Sequence, residues 1–123
     1  MSLAAIDSKQ FIKDYLQALS GQPKTEELIN QYVSDPGLKE HIVQVEAAFP
    51  SYEVVTHQLI AEGDLVAARL TFQGIHQGEF AGIPPTGRHV STDFMIIYLV
   101  QDTRVAGYWI QIDQQDLVRQ LTA

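Results

Sequence analysis

Asp113 and Trp109 are the residues whose types and spacing most directly suggest chemistry. They stand four positions apart in an apolar stretch, with Gln111 between them. Alternate residues of a strand project to one face, so the indole, the amide and the carboxyl would share a surface. An indole wall excludes water from a neighbouring carboxyl, which suits that carboxyl to exchanging protons near neutral pH. We therefore predict Asp113 as a catalytic acid/base, and Trp109 and Gln111 as substrate-binding residues.

The same carboxyl has an equally simple structural interpretation. The run Asp113-Gln114-Gln115-Asp116 would also begin a C-terminal helix. Aspartate is a preferred residue just before a helix, where its side chain accepts a hydrogen bond from a backbone N–H group. Both interpretations of Asp113, acid/base and helix cap, stay open at this stage.

Three further side chains are candidates for the same pocket. His41 follows the helical spacing of Val45, so it would either exchange protons at the pocket wall or hydrogen-bond within the core. Tyr15, on the first predicted helix, would bind a substrate carbonyl or place its oxygen at the rim of the core. Asp93 precedes a strongly apolar strand centre, where a carboxylate needs a partner or solvent. We predict His41 as catalytic and Tyr15 and Asp93 as substrate-binding, with the structural alternatives open.

We expect structural roles for the remaining polar residues, and the motifs that are missing from the sequence exclude several classes of reaction. His76 is expected to anchor the loop that follows it, and Arg69 faces away from the apolar row of its strand. The chain has no cysteine, and its four histidines form no short pair, so we expect no metal site. We find no phosphate-binding loop, dinucleotide fingerprint or nucleophile elbow, and therefore predict no cofactor.

Three amphipathic helices before residue 50 must position the first of these side chains. Asp7, with Ser8 as a rival, is predicted to cap the first helix, and Thr25 is predicted to cap the second. Asp35-Pro36 opens the third, because proline at the first helical position loses no needed N–H group.

The second half of the chain changes to the two-residue period of strands. Strands are predicted at 52–60, 66–73, 89–100 and 105–113, followed by a short helix at 114–121. Residues 78–87 form a loop, because two prolines and three glycines oppose regular structure there. Tight turns between strands imply antiparallel pairing, and helices placed before strands imply an α+β fold. We predict a single domain over residues 1–123.

Composition and charge limit the partners. The chain has 123 residues, of which 46% are hydrophobic and 19% charged, as in folded globular proteins. A net charge of −7 with scattered basic residues predicts no nucleic-acid binding and no pocket for anionic substrates. The N-terminus has no signal-peptide pattern, and the longest apolar run, 94–100, is too short for a membrane span. We expect a cytoplasmic protein that does not contact membranes.

Nearly the whole chain resembles the SnoaL-like polyketide cyclases. The resemblance rests on IAEGDLVAARLTFQGIHQGEF, GIPPTGRHV and YWIQIDQQDLVRQL, and on the earlier phrases SDPGLKEHI and AFPSY. It implies N-terminal helices packed in a strongly curved antiparallel sheet, a cone-shaped, cystatin-like fold with a pocket at its open end. The chain departs from the family pattern at Tyr108, where histidine is frequent, and at Gly107, where an acidic residue is frequent.

The resemblance also implies a reaction and an assembly. In the polyketide cyclases an aspartate near the end of the last strand closes a ring by aldol chemistry, and Asp113 matches that position. Our first hypothesis is a cofactor-independent cyclase or isomerase that acts on a small hydrophobic carbonyl compound. The alternatives are a non-catalytic module that binds a small apolar molecule and an interaction domain that dimerises through its sheet, since one fold hosts many functions. The resemblance further implies a homodimer.

Overall fold

The computed structural model describes residues 3–122 and has an α+β architecture, as predicted. Three helices precede four strands, and a fourth helix follows them. In chain order the elements are α1 (Leu3–Leu19), α2 (Glu26–Tyr32), α3 (Pro36–Ala48), β1 (Glu53–Glu62), β2 (Leu65–Ile75), β3 (His89–Gln101), β4 (Arg104–Ile112) and α4 (Gln114–Thr122).

Side-chain caps fix where α2 and α3 begin. Thr25 Oγ1 accepts a hydrogen bond from the backbone N–H of Leu28 at 3.2 Å, and Asp35 Oδ2 accepts one from Leu38 at 2.8 Å. The Thr25 cap was predicted from residue type, and the start of α3 at Asp35-Pro36 was predicted from the proline. The prediction for α1 is wrong, because this helix begins at Leu3 and contains Asp7 within it. Alanine and leucine at residues 3–5 are strong helix formers, and they extend the helix past the predicted cap.

The four strands form one antiparallel sheet in the order β1-β2-β3-β4. β3 and β4 are joined by Asp102 and Thr103, whose φ angles are 52° and 55°. Two consecutive left-handed residues match the right-handed twist of a tight hairpin. The pairing registers align residues of all four strands in one row across the sheet, namely Ile60, Ala67, Ile97 and Trp109.

The helices cover one face of the sheet, which we call the inner face. Along β2, Val66, Ala68, Leu70 and Phe72 point to this face and are buried, as their alternation predicted. The core there consists of two adjoining clusters, one beneath α1 and α2 and the other between the C-terminal half of α3 and α4. Val54 and Phe94 pack against both clusters, so the two are continuous.

The opposite face of the sheet, the outer face, is left uncovered by the described residues. It carries exposed apolar side chains as well as Arg69. None of the helices within residues 3–122 is long and apolar enough to cross a membrane.

Candidate functional site

The candidate site is a small apolar cavity at the second core cluster, between α3, the ends of β3 and β4, and α4. Its volume is about 120 Å³. Two polar side chains, His41 and Gln114, line it among apolar ones. Most of its wall is aromatic and branched aliphatic, including Phe49, Phe72, Phe80, Phe94, Ile110 and Ile112. We call this space the phenylalanine cavity.

Secondary-structure periods bring these side chains together. His41, Val45 and Phe49 recur every four residues along α3 and its end, so they form one stripe on the helix. Phe94 of β3 lies opposite Ile112 of β4 in the register of the sheet. Both belong to the inner face, which gives the cavity a rigid floor.

The loop between β2 and β3 supplies Phe80 and holds it against Phe49, with ring centroids 5.4 Å apart. The backbone N–H groups of Gln77 and Gly78 both donate to the carbonyl oxygen of Ala48, at 3.0 and 3.1 Å. Gly78 is required here, because a Cβ atom at this position would clash with the carbonyl oxygen of Ala47. The loop is therefore fastened directly to the end of α3.

His76 anchors the other end of this loop. Its Nδ1 accepts a hydrogen bond from the backbone N–H of Thr86 at 3.1 Å, so Nε2 carries the ring proton. The side chain is fully buried, and its ring packs on Phe49 with centroids 5.5 Å apart. Within residues 3–122 the Nε2 atom finds no hydrogen-bond partner. His76 thus anchors the loop, as predicted, both through its ring nitrogen and through its backbone, whose carbonyl oxygen accepts a hydrogen bond from the N–H of Gly87 at 2.8 Å.

His41 is the one titratable side chain, among the described residues, that lines the phenylalanine cavity. Burial lowers the pKa of His41 below its usual value, because desolvation penalises the imidazolium form. Its ring lies against that of Tyr108, with centroids 6.1 Å apart. A neutral imidazole can accept a proton at one nitrogen and donate from the other. His41 is therefore equipped for proton transfer at neutral pH.

A wider groove adjoins the cavity and is lined by several of the same residues. Its volume is about 570 Å³, and it shares His41, Phe80 and Gln114 with the cavity. Glu79 and Gln44 add further polar side chains. We call this groove the vestibule. The polar atoms of His41 and Gln114 thus lie at the boundary between an apolar cavity and a polar approach.

Asp113 does not line the phenylalanine cavity. Its Oδ1 accepts a hydrogen bond from the backbone N–H of Asp116 at 2.9 Å, and its carbonyl oxygen accepts one from Leu117 at 3.3 Å. The side chain is exposed. This is the geometry of a helix N-cap, so the second of the two interpretations describes the position that Asp113 occupies.

Trp109, Gln111 and Asp93 lie on the outer face, away from His41. The predicted alternation along β4 is correct, but Tyr108, Ile110 and Ile112 are the residues that pack against the core. Trp109 is 59% exposed. The expectation that Trp109 and Gln111 share a pocket with His41 is therefore wrong, because the sheet separates them.

The outer face does bring three of the predicted residues together. Asp93, Gln111 and Asp113 line one shallow groove of about 490 Å³, together with Arg69. Within residues 3–122 no ion pair joins Arg69 to either carboxylate. All four side chains are exposed, so this groove lacks the dry surroundings that convert a carboxyl into a working base.

Tyr15 is buried in the first core cluster, which agrees with the structural alternative. It is 2% exposed and packs edge-on against Tyr98, with ring centroids 5.7 Å apart. Burial raises the pKa of Tyr15 well above its usual value. It does not line the phenylalanine cavity, so the predicted contact with a substrate there is not available to it.

Gln114, Phe80 and Glu79 are site residues that the sequence reasoning missed. Phe80 stands alone as a large apolar side chain in a loop rich in glycine and proline, and that isolation is a usable signal for a wall contact. Gln114 directly follows the helix cap, and the recognisable sequence signal at that point belongs to Asp113. Glu79 gives no signal of its own in the sequence.

Comparison with known families identifies the class of protein to which this fold and cavity belong. The model of the SnoaL-like polyketide cyclase family matches residues 12–121. The chain therefore belongs to this family. No curated protein is significantly similar to it in sequence.

Solved structures of similar length share the whole fold. AclR from Streptomyces galilaeus, a proposed hydroxylase, is 25% identical with a TM-score of 0.80, over 96% of this chain and 97% of its own. TsrD from Streptomyces laurentii is 26% identical with a TM-score of 0.74, over 98% and 97%. A SnoaL-like polyketide cyclase assigned in Jannaschia sp. CCS1 is 18% identical with a TM-score of 0.82, over 100% and 96%.

Proposed function

We propose that this protein binds a small, mostly apolar carbonyl compound in the phenylalanine cavity and that His41 transfers a proton on it without a cofactor. The observation that carries this proposal is the position of His41, the titratable group that lines both the cavity and the vestibule. The apolar wall would hold the hydrocarbon part of the ligand, and His41 and Gln114 would face its polar atoms. Membership of the cyclase family supports this class of reaction.

The chemistry that these groups could perform is enolisation. Neutral His41 would take a proton from the carbon next to the carbonyl group; the C–H electron pair would form the carbon–carbon double bond of the enolate, and the π pair of the carbonyl group would move to its oxygen. The Gln114 amide would donate a hydrogen bond to the resulting enolate oxygen. Return of the proton from His41 to another carbon completes an isomerisation. Attack of the enolate carbon on a second carbonyl, followed by protonation of the new alkoxide by His41, completes an aldol closure.

The size of the cavity limits what can enter. Its volume of about 120 Å³ accommodates roughly one small ring, since a cavity of ~150 Å³ in another protein takes up benzene. A larger ligand would extend into the vestibule, past His41. We therefore expect one apolar ring or branched chain in the cavity and the reacting carbonyl group at its mouth.

A non-catalytic binding module is the second candidate. It is favoured by the use of Asp113 as a helix cap, which leaves His41 without a carboxylate partner in the cavity. In that case the cavity would bind the same kind of apolar molecule and release it unchanged. The two candidates share a ligand site and differ only in whether a proton is transferred.

Phenylacetone in deuterated buffer separates the two candidates. NMR would report binding through shifts of residues around 41, 80 and 114, and enzyme activity through faster exchange of the ketone's α-protons for deuterium. The enzyme proposal expects exchange in the wild type and in Asp113→Asn, which keeps the helix cap, but not in His41→Gln. Binding without accelerated exchange favours the binding module, and no binding at these residues contradicts both.

We also propose that two copies of the chain pair through their outer faces. The row across all four strands presents Ile60 and Trp109 at 61% and 59% exposure, with Ile97 between them. Met95, one row further along β3, is 56% exposed. Such a continuous apolar surface is typical of a protein interface. A two-fold pair would bring each row against its copy, which agrees with the assembly that the family resemblance implies.

A further inference from the structure

A separate groove lies between α1 and the edge strand β1. Its volume is about 580 Å³, and it shares no lining residue with the phenylalanine cavity or the vestibule. Both elements contribute to its walls, which include Lys9, Lys13, Leu16, Val54, His57 and Leu59. We call it the α1–β1 groove.

The charged side chains of this groove are all basic. Lys9 and Lys13 lie one helical turn apart, a spacing at which like charges repel each other. No carboxylate lines the groove, and within residues 3–122 neither lysine forms an ion pair. The chain as a whole has a net charge of −7. The groove is therefore a basic region on an acidic protein, which the scattered basic residues of the sequence did not predict.

A β-bulge and a hydrogen bond fix the orientation of the His57 side chain. The pairing of β1 with β2 shifts between Thr56 and Gln58, which leaves His57 as the extra residue of a β-bulge. Bulges redirect side chains and are frequent beside functional sites. His57 Nε2 lies 2.6 Å from Thr71 Oγ1.

A hydrogen-bond chain fixes the proton on this imidazole. The Thr71 hydroxyl donates to Asp93 Oδ1 at 2.6 Å. Since this hydroxyl has one proton and gives it to Asp93, it must accept from His57, so His57 Nε2 carries a hydrogen. Because Thr71 and Asp93 belong to the outer face, this chain holds the imidazole at the outer side of the edge strand.

The floor of the groove is apolar. Leu16 is buried, and Val54 and Leu59 are half-buried. Ser20 Oγ accepts a hydrogen bond from the backbone N–H of Val54 at 2.9 Å, which ties the strand to the end of α1. The groove thus combines two exposed ammonium groups with a fixed hydrocarbon surface.

We propose that the α1–β1 groove binds a small organic anion with an apolar tail. The anionic headgroup, a carboxylate or a phosphate ester, lies between Lys9 and Lys13, and the tail covers Leu16 and Leu59. Ammonium groups recognise both kinds of headgroup as point charges. This site is independent of the proposed reaction in the phenylalanine cavity, so the failure of either proposal leaves the other standing.

Calorimetry and NMR with hexanoate, hexyl phosphate and neutral hexanol test this site. We expect saturable binding of at least one anion, with shifts confined to residues 9–20 and 54–59, and no comparable binding of hexanol. The anion with the lower Kd identifies the headgroup class. The double variant Lys9→Gln/Lys13→Gln should raise that Kd about tenfold or more, because it removes both charge-assisted contacts.

Lys39→Gln is the control for the loss of a lysine charge elsewhere, because Lys39 lies on α3 outside the groove. It should leave the Kd unchanged. The proposal is overturned if neither anion binds, if hexanol binds as well as the anions, or if the double variant binds like the wild type. Shifts centred on residues 41, 80 and 114 would also overturn it, since they would place the ligand in the phenylalanine cavity.

Discussion

The inner and outer faces of the same four strands differ in the chemistry that they can support. The inner face is apolar and encloses a cavity whose only titratable contact, among the described residues, comes from α3. The outer face carries Asp113, which was predicted as an acid/base, and Asp93 and Gln111, which were predicted to bind substrate. Charged groups are tolerated outside because water solvates them there, and the cost of burial keeps them out of the inner face. A cluster of acidic residues on a strand is therefore weak evidence for a pocket.

Truncation of one side chain on each face should show the largest contrast. Leu70 is fully buried on the inner face, and Arg69 beside it in sequence is exposed on the outer face. Leu70→Ala should lower the free energy of unfolding by about 3 kcal/mol, through lost burial and the space left behind. Arg69→Ala should change it by less than about 0.5 kcal/mol. Urea unfolding measures both, and equal effects would contradict the assignment of faces.

The outer face should matter for assembly more than for folding. Trp109→Ala should weaken the proposed homodimer by about 2 kcal/mol, or roughly 30-fold in Kd, because an exposed indole is a typical centre of an interface. Val43→Ala removes an equally exposed apolar side chain from α3, at 54% exposure, and should leave the Kd unchanged. Sedimentation velocity over a range of concentrations measures the association. A wild-type monomer at every concentration would contradict the pairing.

Local signals in the sequence predicted most of the fold, since each depends on neighbours in the chain. Thr25 and Asp35 cap the helices they precede, and the alternation along β2 identified its buried side chains. The choice of the inner face of β4 was harder, because each face has an aromatic residue, Tyr108 or Trp109. The row of Tyr108, Ile110 and Ile112 is wholly apolar, and that property is the signal that decides correctly.

The candidate site was less predictable, because its parts are distant in sequence. His41 was identified from its helical stripe, but its partner Gln114 is 73 positions away by residue number (114 minus 41) and belongs to another element. Phe80 reaches the cavity only because His76 and Gly78 fasten their loop to neighbouring segments. Such convergence depends on tertiary packing, which no local pattern encodes.

Substitution of Asp113 should have a smaller effect, and it tests whether this residue acts as a helix cap. Asp113→Ala should cost about 1 kcal/mol of stability, because the backbone N–H of Asp116 loses its partner. Asp113→Asn should cost only a few tenths, since asparagine caps helices equally well. Thermal unfolding of the two variants measures the difference. If Asn proves as costly as Ala, the carboxylate charge has a role beyond capping.

The smallest expected effect is the pH dependence that His41 contributes on the cavity side. Burial lowers the pKa of His41, whereas an unfolded chain binds this proton at a pKa of about 6.5. Between the folded pKa and about 6.5 the unfolded state therefore holds more protons, so stability falls as pH decreases through this window. Above it the contribution is constant.

The His41→Gln variant isolates this contribution, because the other histidines titrate equally in both proteins. The unfolding free energy of both proteins is measured in urea from about pH 5 to 7.5. The value for the wild type minus that for the variant should decrease as the pH falls. A difference that stays flat would mean that the His41 imidazole is as well solvated as in the unfolded chain. A dry cavity mouth, on which the proposed proton transfer depends, would then be excluded. A ligand that occupies the phenylalanine cavity should make this difference depend more steeply on pH, since it removes the remaining water from the imidazole.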